Sequence, residues 1–150
     1  MKHAKYLIVA AIIVIGIGFW SAFAPSRSEA DTTTEDAPAH VEEIEGSEFS
    51  RVTLTPLAAE RIDVQIAEAS DQEIAGAKVR VVPYSALVYD SNGNAFVYTN
   101  PEPLVFIRAA VVVDRIDGEF AVVTEGPEAG TKVASVGGAL LWGTEFGVGH

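Results

Sequence analysis

The sequence predicts a mainly β fold: a small closed or nearly closed β-barrel with one short helix, preceded by a single N-terminal transmembrane helix. Three observations predict it. From Val79 onward, β-branched and aromatic residues form short runs separated by glycine turns. Two of the breaks, Asn92-Gly93 and Asp117-Gly118, carry hairpin chemistry. Near the start, Leu7 to Ala24 is an apolar run of eighteen residues, about what a helix needs to cross a bilayer.

Residues 1–24 therefore read as a membrane anchor or a signal segment. Lys2 and Lys5 precede the apolar run, and Arg27 is the first charge after it. Positive charge before the run and acidic residues beyond it place the C-terminal part outside the cytoplasm. Ala22-Phe23-Ala24 and Ser28-Glu29-Ala30 have small residues at cleavage-like spacing, but Pro25 disfavours a cut after Ala24. The expectation is a retained single-pass anchor in the inner membrane, with the domain periplasmic or extracytoplasmic.

Residues 25–50 read as an acidic flexible linker. Glu29 to Glu48 contains eight acidic residues and no basic ones, with three consecutive threonines and Pro38. Such a stretch buries too little apolar surface to fold alone, and its self-repulsion extends it. His40, Glu42, Glu43 and Glu45 offer a weak divalent-cation reading. No second histidine is in reach, so solvated charge is the expectation and no metal site is assigned.

Residues 51–150 read as the β-domain. Thr55 suits a helix N-cap with Pro56 at the first helical position, where its missing N–H costs nothing. Leu57 and Ile62 are expected to bracket the buried side of this helix, a lid over one end of the barrel. Ile62 to Ala67 then alternates, which points Ile62, Val64 and Ile66 inward. Further strands are expected at Val79 to Pro83, Ala86 to Tyr89, Ala95 to Thr99, Leu104 to Ile116, Phe120 to Thr124 and Thr131 to Val136.

Several chemistries find no residues. The chain has no cysteine, which excludes disulfides, thiolate metal sites and a lipoprotein anchor. Its histidines, His3, His40 and His150, lie in the linker and at the two ends, away from any rigid nucleophile. No glycine-rich phosphate loop precedes a helix. The formal charge of −11 opposes nucleic acid binding. The expectation is a non-enzymatic protein without catalytic residues or cofactors. Of the aromatics, Trp142, Tyr84 and Tyr89 are the candidates for an interface; Phe96 and Phe106 read as core.

Certain words of the sequence resemble a family. They are Val52 to Ile62, then Val82-Pro83-Tyr84-Ser85-Ala86-Leu87, Val97-Tyr98-Thr99 and Arg108 to Val113. Two more follow: Val123 to Val133, with its two glycines, and the tail Ala139 to His150. In this order they resemble the membrane-proximal end of periplasmic adaptor subunits, the membrane fusion proteins of the hemolysin-D type. The resemblance spans roughly residues 51–150 and implies a membrane-proximal barrel of permuted SH3-like type. The partner it implies is an inner-membrane efflux transporter, of the resistance-nodulation-division or ATP-binding-cassette type. It is compatible with a homo-oligomer. The family's contacting residues vary, so none is carried over.

One departure is plain. In adaptors a lipoyl-like domain, and usually a helical hairpin, precedes the Val-Pro strand. Here only Glu68 to Ala77 stands in that place, ten residues that cannot form such a domain. The expected function is thus a truncated, transporter-associated adaptor-like protein. The alternative is a stand-alone ligand- or metal-binding β-module without a transport role.

Overall fold

The computed structural model describes residues 37–147. The expected transmembrane helix and the first part of the expected linker lie outside the described residues.

The described chain is mainly β. In order it forms β1 (Ala39–Glu43), β2 (Ser50–Leu54), α1 (Pro56–Arg61), β3 (Gln65–Glu68), β4 (Ser70–Ile74) and β5 (Ala77–Pro83). A 3-10 turn at Tyr84–Ala86 leads to β6 (Val88–Tyr89), β7 (Ala95–Glu102), β8 (Val105–Asp117), β9 (Phe120–Glu125), β10 (Lys132–Val136) and α2 (Gly138–Glu145). The strands form one curled sheet in the order β3-β10-β7-β8-β9-β5-β4. β2 attaches to the first part of β8 and carries β1 at its outer edge. β3 and β4 do not pair with each other, so the sheet is a half-barrel rather than a closed one.

β8 explains the curl. Its first half pairs with β7 on one side and β2 on the other; its second half pairs with β9. Register shifts between Val112 and Arg115 mark the crossover, where an extra residue bends and twists a strand. The middle of the sheet is consequently buried on both faces. Inside the curl lie Val82, Val97, Val111, Ala121, Val123 and Val133. On the other face Tyr98, Phe106 and Ala134 pack against Val52, Leu54, Ala58 and Leu141. Adjacent residues Val97 and Tyr98 of β7 thus both vanish from solvent, each into a different core.

The local readings fare unevenly. α1 begins as expected: Thr55 accepts a hydrogen bond from the Ala58 N–H at 3.2 Å, and Pro56 opens the helix. Leu57, expected on the buried side, is exposed; Ala58 faces the core, with Ile62 four residues on. Ile66, expected inward, is also exposed. Ile62 and Val64, also expected inward, are partly buried against the core beneath α2, and Ile66 stands opposite the buried Ala134 on the same face, at the edge of the sheet. Ala67 and Ala69 alternate onto the other face, inside the curl, where Ala67 stands opposite the buried Val133.

The linker expected to run to residue 50 is corrected. Ala39–Glu43 is strand β1, paired with β2 from Ala39↔Leu54 to Glu43↔Ser50. Charge and exposure made it read as linker; it is held by its backbone, which needs no apolar side chains.

Both expected hairpins form. Tyr89 pairs with Ala95 around Asp90 to Asn94, but only Gly93, at φ 86°, is left-handed. The turn is organised instead by the Asp90 carboxylate, which accepts the N–H groups of Asn92 and Asn94 at 2.8 Å each. Gly118-Glu119 is the two-residue turn between Asp117 and Phe120, with Gly118 at φ 59°. A third hairpin, β4–β5, was not foreseen. It turns at Ala75-Gly76, where alanine itself takes φ 54°. The ten-residue bridge is therefore not loop: most of it is this hairpin's first strand and turn.

Candidate functional site

The most concentrated chemistry lies where α2 crosses the sheet. On β8, Phe106 and Arg108 project to the α2 side; on β7, Phe96 and Tyr98 do the same. Tyr98 and Arg108 are direct cross-strand partners. α2 then lays Trp142 and Glu145 over them, with Phe146 at its C-terminal end.

Arg108 is 9 % exposed. Its guanidinium lies 4.8 Å from the ring centre of Phe49, 4.7 Å from Phe96, 4.9 Å from Trp142 and 5.1 Å from Phe146. Four aromatic faces within about 6 Å form a cage that attracts the cation through the ring quadrupoles. The rings also touch one another, Trp142 and Phe146 at 4.6 Å and Phe96 and Trp142 at 5.8 Å.

Glu145 supplies the counter-charge. Arg108 Nε donates to its carboxylate, 3.2 Å from Oε2 and 3.3 Å from Oε1, and the Glu145 side chain is only 2 % exposed. Tyr98 donates its hydroxyl to Oε2 at 2.6 Å, and the Ser50 N–H lies 3.5 Å from Oε1. A carboxylate at a helix C-terminus opposes the helix dipole, so position on α2 alone does not favour it. Its three donors do. Burial holds the Tyr98 hydroxyl protonated far above its ordinary range, and the neighbouring carboxylate adds to this, against a smaller opposing effect of Arg108. Tyr98 is thereby fixed as a donor. The network can bind and hold.

A groove of about 420 Å³ opens beside the cage, lined by Phe49, Phe96, Arg108 and Val111, with Glu48 and Asp90 also at its walls. The Nη groups of Arg108 donate to no acceptor among the described residues.

The residues singled out from the sequence fall elsewhere or serve differently. Trp142 is partly buried, packed into the cage rather than standing free. Tyr84, in the 3-10 turn, and Tyr89, at the end of β6, are each 51 % exposed. His40 and Glu42 approach to 3.4 Å on the outward-facing β1, but no three His, Asp or Glu side chains gather as metal ligands would among the described residues. Arg108 and Glu145 were missed. The available signals were an arginine inside an apolar strand and a lone acid in an apolar tail, 37 residues apart.

No family model matches the chain, and no curated protein matches it.

Proposed function

We propose that this chain is a membrane-anchored accessory subunit of an inner-membrane efflux transporter. In this reading the anchor is residues 1–24, and the β-domain corresponds to an adaptor's membrane-proximal barrel of permuted SH3-like type. The observation that carries the reading is that separate family-like words supply buried residues to both faces of the sheet. Arg108, from the word on β8, and Glu145, from the tail, form the buried ion pair that seats α2. Val82, from the Val-Pro word, is fully buried inside the curl where β5 joins β9. The compact β3–β4–β5 passage supports the truncated form, since the chain passes directly from one side of the barrel to the other.

Mild crosslinking in cells followed by purification of a tagged chain tests this. A transporter permease recovered with the wild type, and lost when Glu145→Ala releases α2, is the expected result. Recovery of the chain without any transporter subunit overturns it.

A second reading, a stand-alone ligand-binding β-module, is favoured by the groove beside Arg108 and its Nη donors, which meet no acceptor among the described residues. A thermal-shift screen of small hydrogen-bond acceptors separates the two. A ligand-dependent shift that disappears in Arg108→Lys, in a chain with no transporter partner, selects the module.

A further inference from the structure

Among the described residues β1 is an outer strand that pairs with β2 alone. The direction of its backbone groups follows from its neighbours. The Thr55 N–H donates to the Pro38 carbonyl at 3.0 Å, and the Leu54 N–H donates to Leu104 on the opposite side at 2.9 Å. Along a regular strand the two sides alternate, so His40 and Glu42 use their backbone groups toward β2. The N–H and C=O groups of Ala39, Val41 and Glu43 therefore point outward, and they take no hydrogen-bond partner among the described residues. Such a row is a template for another strand.

We infer that two copies of this chain pair through β1, antiparallel and centred on Val41. The side chains select a second copy as the occupant. Centred on Val41, the register sets Val41 against the partner's Val41 and Ala39 against the partner's Glu43. His40 then faces the partner's Glu42 across a non-hydrogen-bonded pair, where side chains approach most closely. Within one copy Glu42 already lies opposite Arg51 of β2. Each Glu42 would thus sit between its own Arg51 and the partner's His40, a carboxylate between a guanidinium and an imidazole. The other face carries Ala39 and Val41, with Glu43 at its end. Val41 is the register partner of the buried Val52 and lines a groove of about 620 Å³ with Ile62, Leu140 and Trp142. Val41 and Leu140 are otherwise 38 % and 53 % exposed. Pairing about Val41 would join the two grooves into one apolar band flanked by both copies of α2. An acidic edge usually keeps strands apart. Here the charges are placed so that the same strand reversed is its complement. The inference is independent of the transporter reading.

The absence of native cysteine makes the register testable on the full chain. Under mild oxidation Val41→Cys is expected to crosslink to itself. Glu43→Cys is not, since its opposite residue is the partner's Ala39. A mixture of His40→Cys and Glu42→Cys should crosslink to each other, with little of either homodimer. Val41→Pro removes an outward N–H that β2 does not use, so the fold should persist by circular dichroism while the dimer is lost in sedimentation. Glu42→Lys should weaken the dimer about tenfold, and His40→Glu combined with it should restore part of that. A wild-type chain that sediments as a monomer at micromolar concentration overturns the inference. So does a dimer that survives Val41→Pro, or one that crosslinks at Glu43→Cys as readily as at Val41→Cys.

Discussion

Two arginine–carboxylate pairs show how differently the two sides of this sheet are built. Arg80 and Asp71 face each other on neighbouring strands β5 and β4, nine residues apart, with side chains 30 % and 25 % exposed. Lys78 also approaches Asp71, at 3.4 Å, and Arg80 reaches the Pro127 carbonyl at 3.0 Å. Arg108 and Glu145 join β8 to α2 across 37 residues, with side chains 10 % and 2 % exposed. The first pair decorates a hairpin that its own backbone ladder already holds. The second is the polar centre of a contact between elements that share no backbone ladder. Charge pairing is common to both; burial decides what each is worth, because a buried charge that loses its partner cannot recover hydration.

The largest expected effect follows from this. Glu145→Ala leaves the caged Arg108 charge without a counter-ion and should cost about 3–5 kcal/mol in denaturant unfolding. Replacing both partners, Arg108→Met with Glu145→Leu, should cost less than either single change, since no unpaired charge remains. If the double variant is instead the sum of the singles, the pair is not coupled and the contrast with Asp71 and Arg80 fails.

The two sides also differ in how far they could be read from sequence. The inside of the curl was legible as strands, because the apolar runs that hold Val82, Val97 and Val123 are local, and the Gly93 and Gly118 hairpins that bring their strands together are local too. The β4–β5 hairpin escaped because its turn is Ala75-Gly76, with alanine where asparagine or glycine is expected, and so Asp71 and Arg80 were not seen as partners. β1 escaped for the opposite reason: its side chains are those of a solvated linker, and only pairing with β2 makes it a strand. The α2 side was illegible for a third reason. Nothing within ten residues of Arg108 says that its charge is answered at Glu145, and Trp142 read as an interface candidate because Phe96 and Arg108, which it packs against, are distant in sequence, although Phe146 lies four residues on.

A deletion inside the curl sharpens the comparison from the apolar side. Val82→Ala removes two methyl groups from a fully buried position and should cost about 2 kcal/mol, transfer and residual cavity together. Denaturation midpoints should place it between Glu145→Ala and the variants below. A cost equal to that of Glu145→Ala would mean that packing alone, without buried charge, dominates both sides.

Tyr98→Phe tests the α2 side more finely. It removes one of three donors to Glu145 while keeping the ring, and should cost about 1.5 kcal/mol at neutral pH. It should also change the alkaline behaviour, and the sign is definite. In the fold the Tyr98 hydroxyl is held protonated far above its unfolded value of about 10. Its contribution is therefore complete below about pH 10 and is lost as pH rises further, when the unfolded chain ionises and the folded one does not. The wild type should lose stability above that pH more steeply than Tyr98→Phe, so their curves converge. Parallel curves from pH 8 to 11 would show that Tyr98 is not the buried donor.

The smallest effect is expected at Asp71→Asn, and it separates the two pairs most cleanly. The Arg80 side chain, hydrogen bonded to Asp71, holds its carboxyl below the ordinary carboxylate range, and Lys78 acts in the same direction. A depressed value means a contribution present above the unfolded value of about 3.9 and lost as pH falls through the folded one. Above pH 5 the substitution should therefore give a constant loss, smaller than that of Tyr98→Phe. Below pH 4 the wild type should fall to meet it. Salt provides the second axis. At 1 M ionic strength the screening length is about 3 Å, so an exposed pair loses most of its attraction while a buried one does not. The Asp71→Asn difference should shrink with added salt, and the Glu145→Ala difference should hold. Two variants that respond to salt alike would mean that the cage around Arg108 is open to solvent, and that burial does not distinguish the two sides.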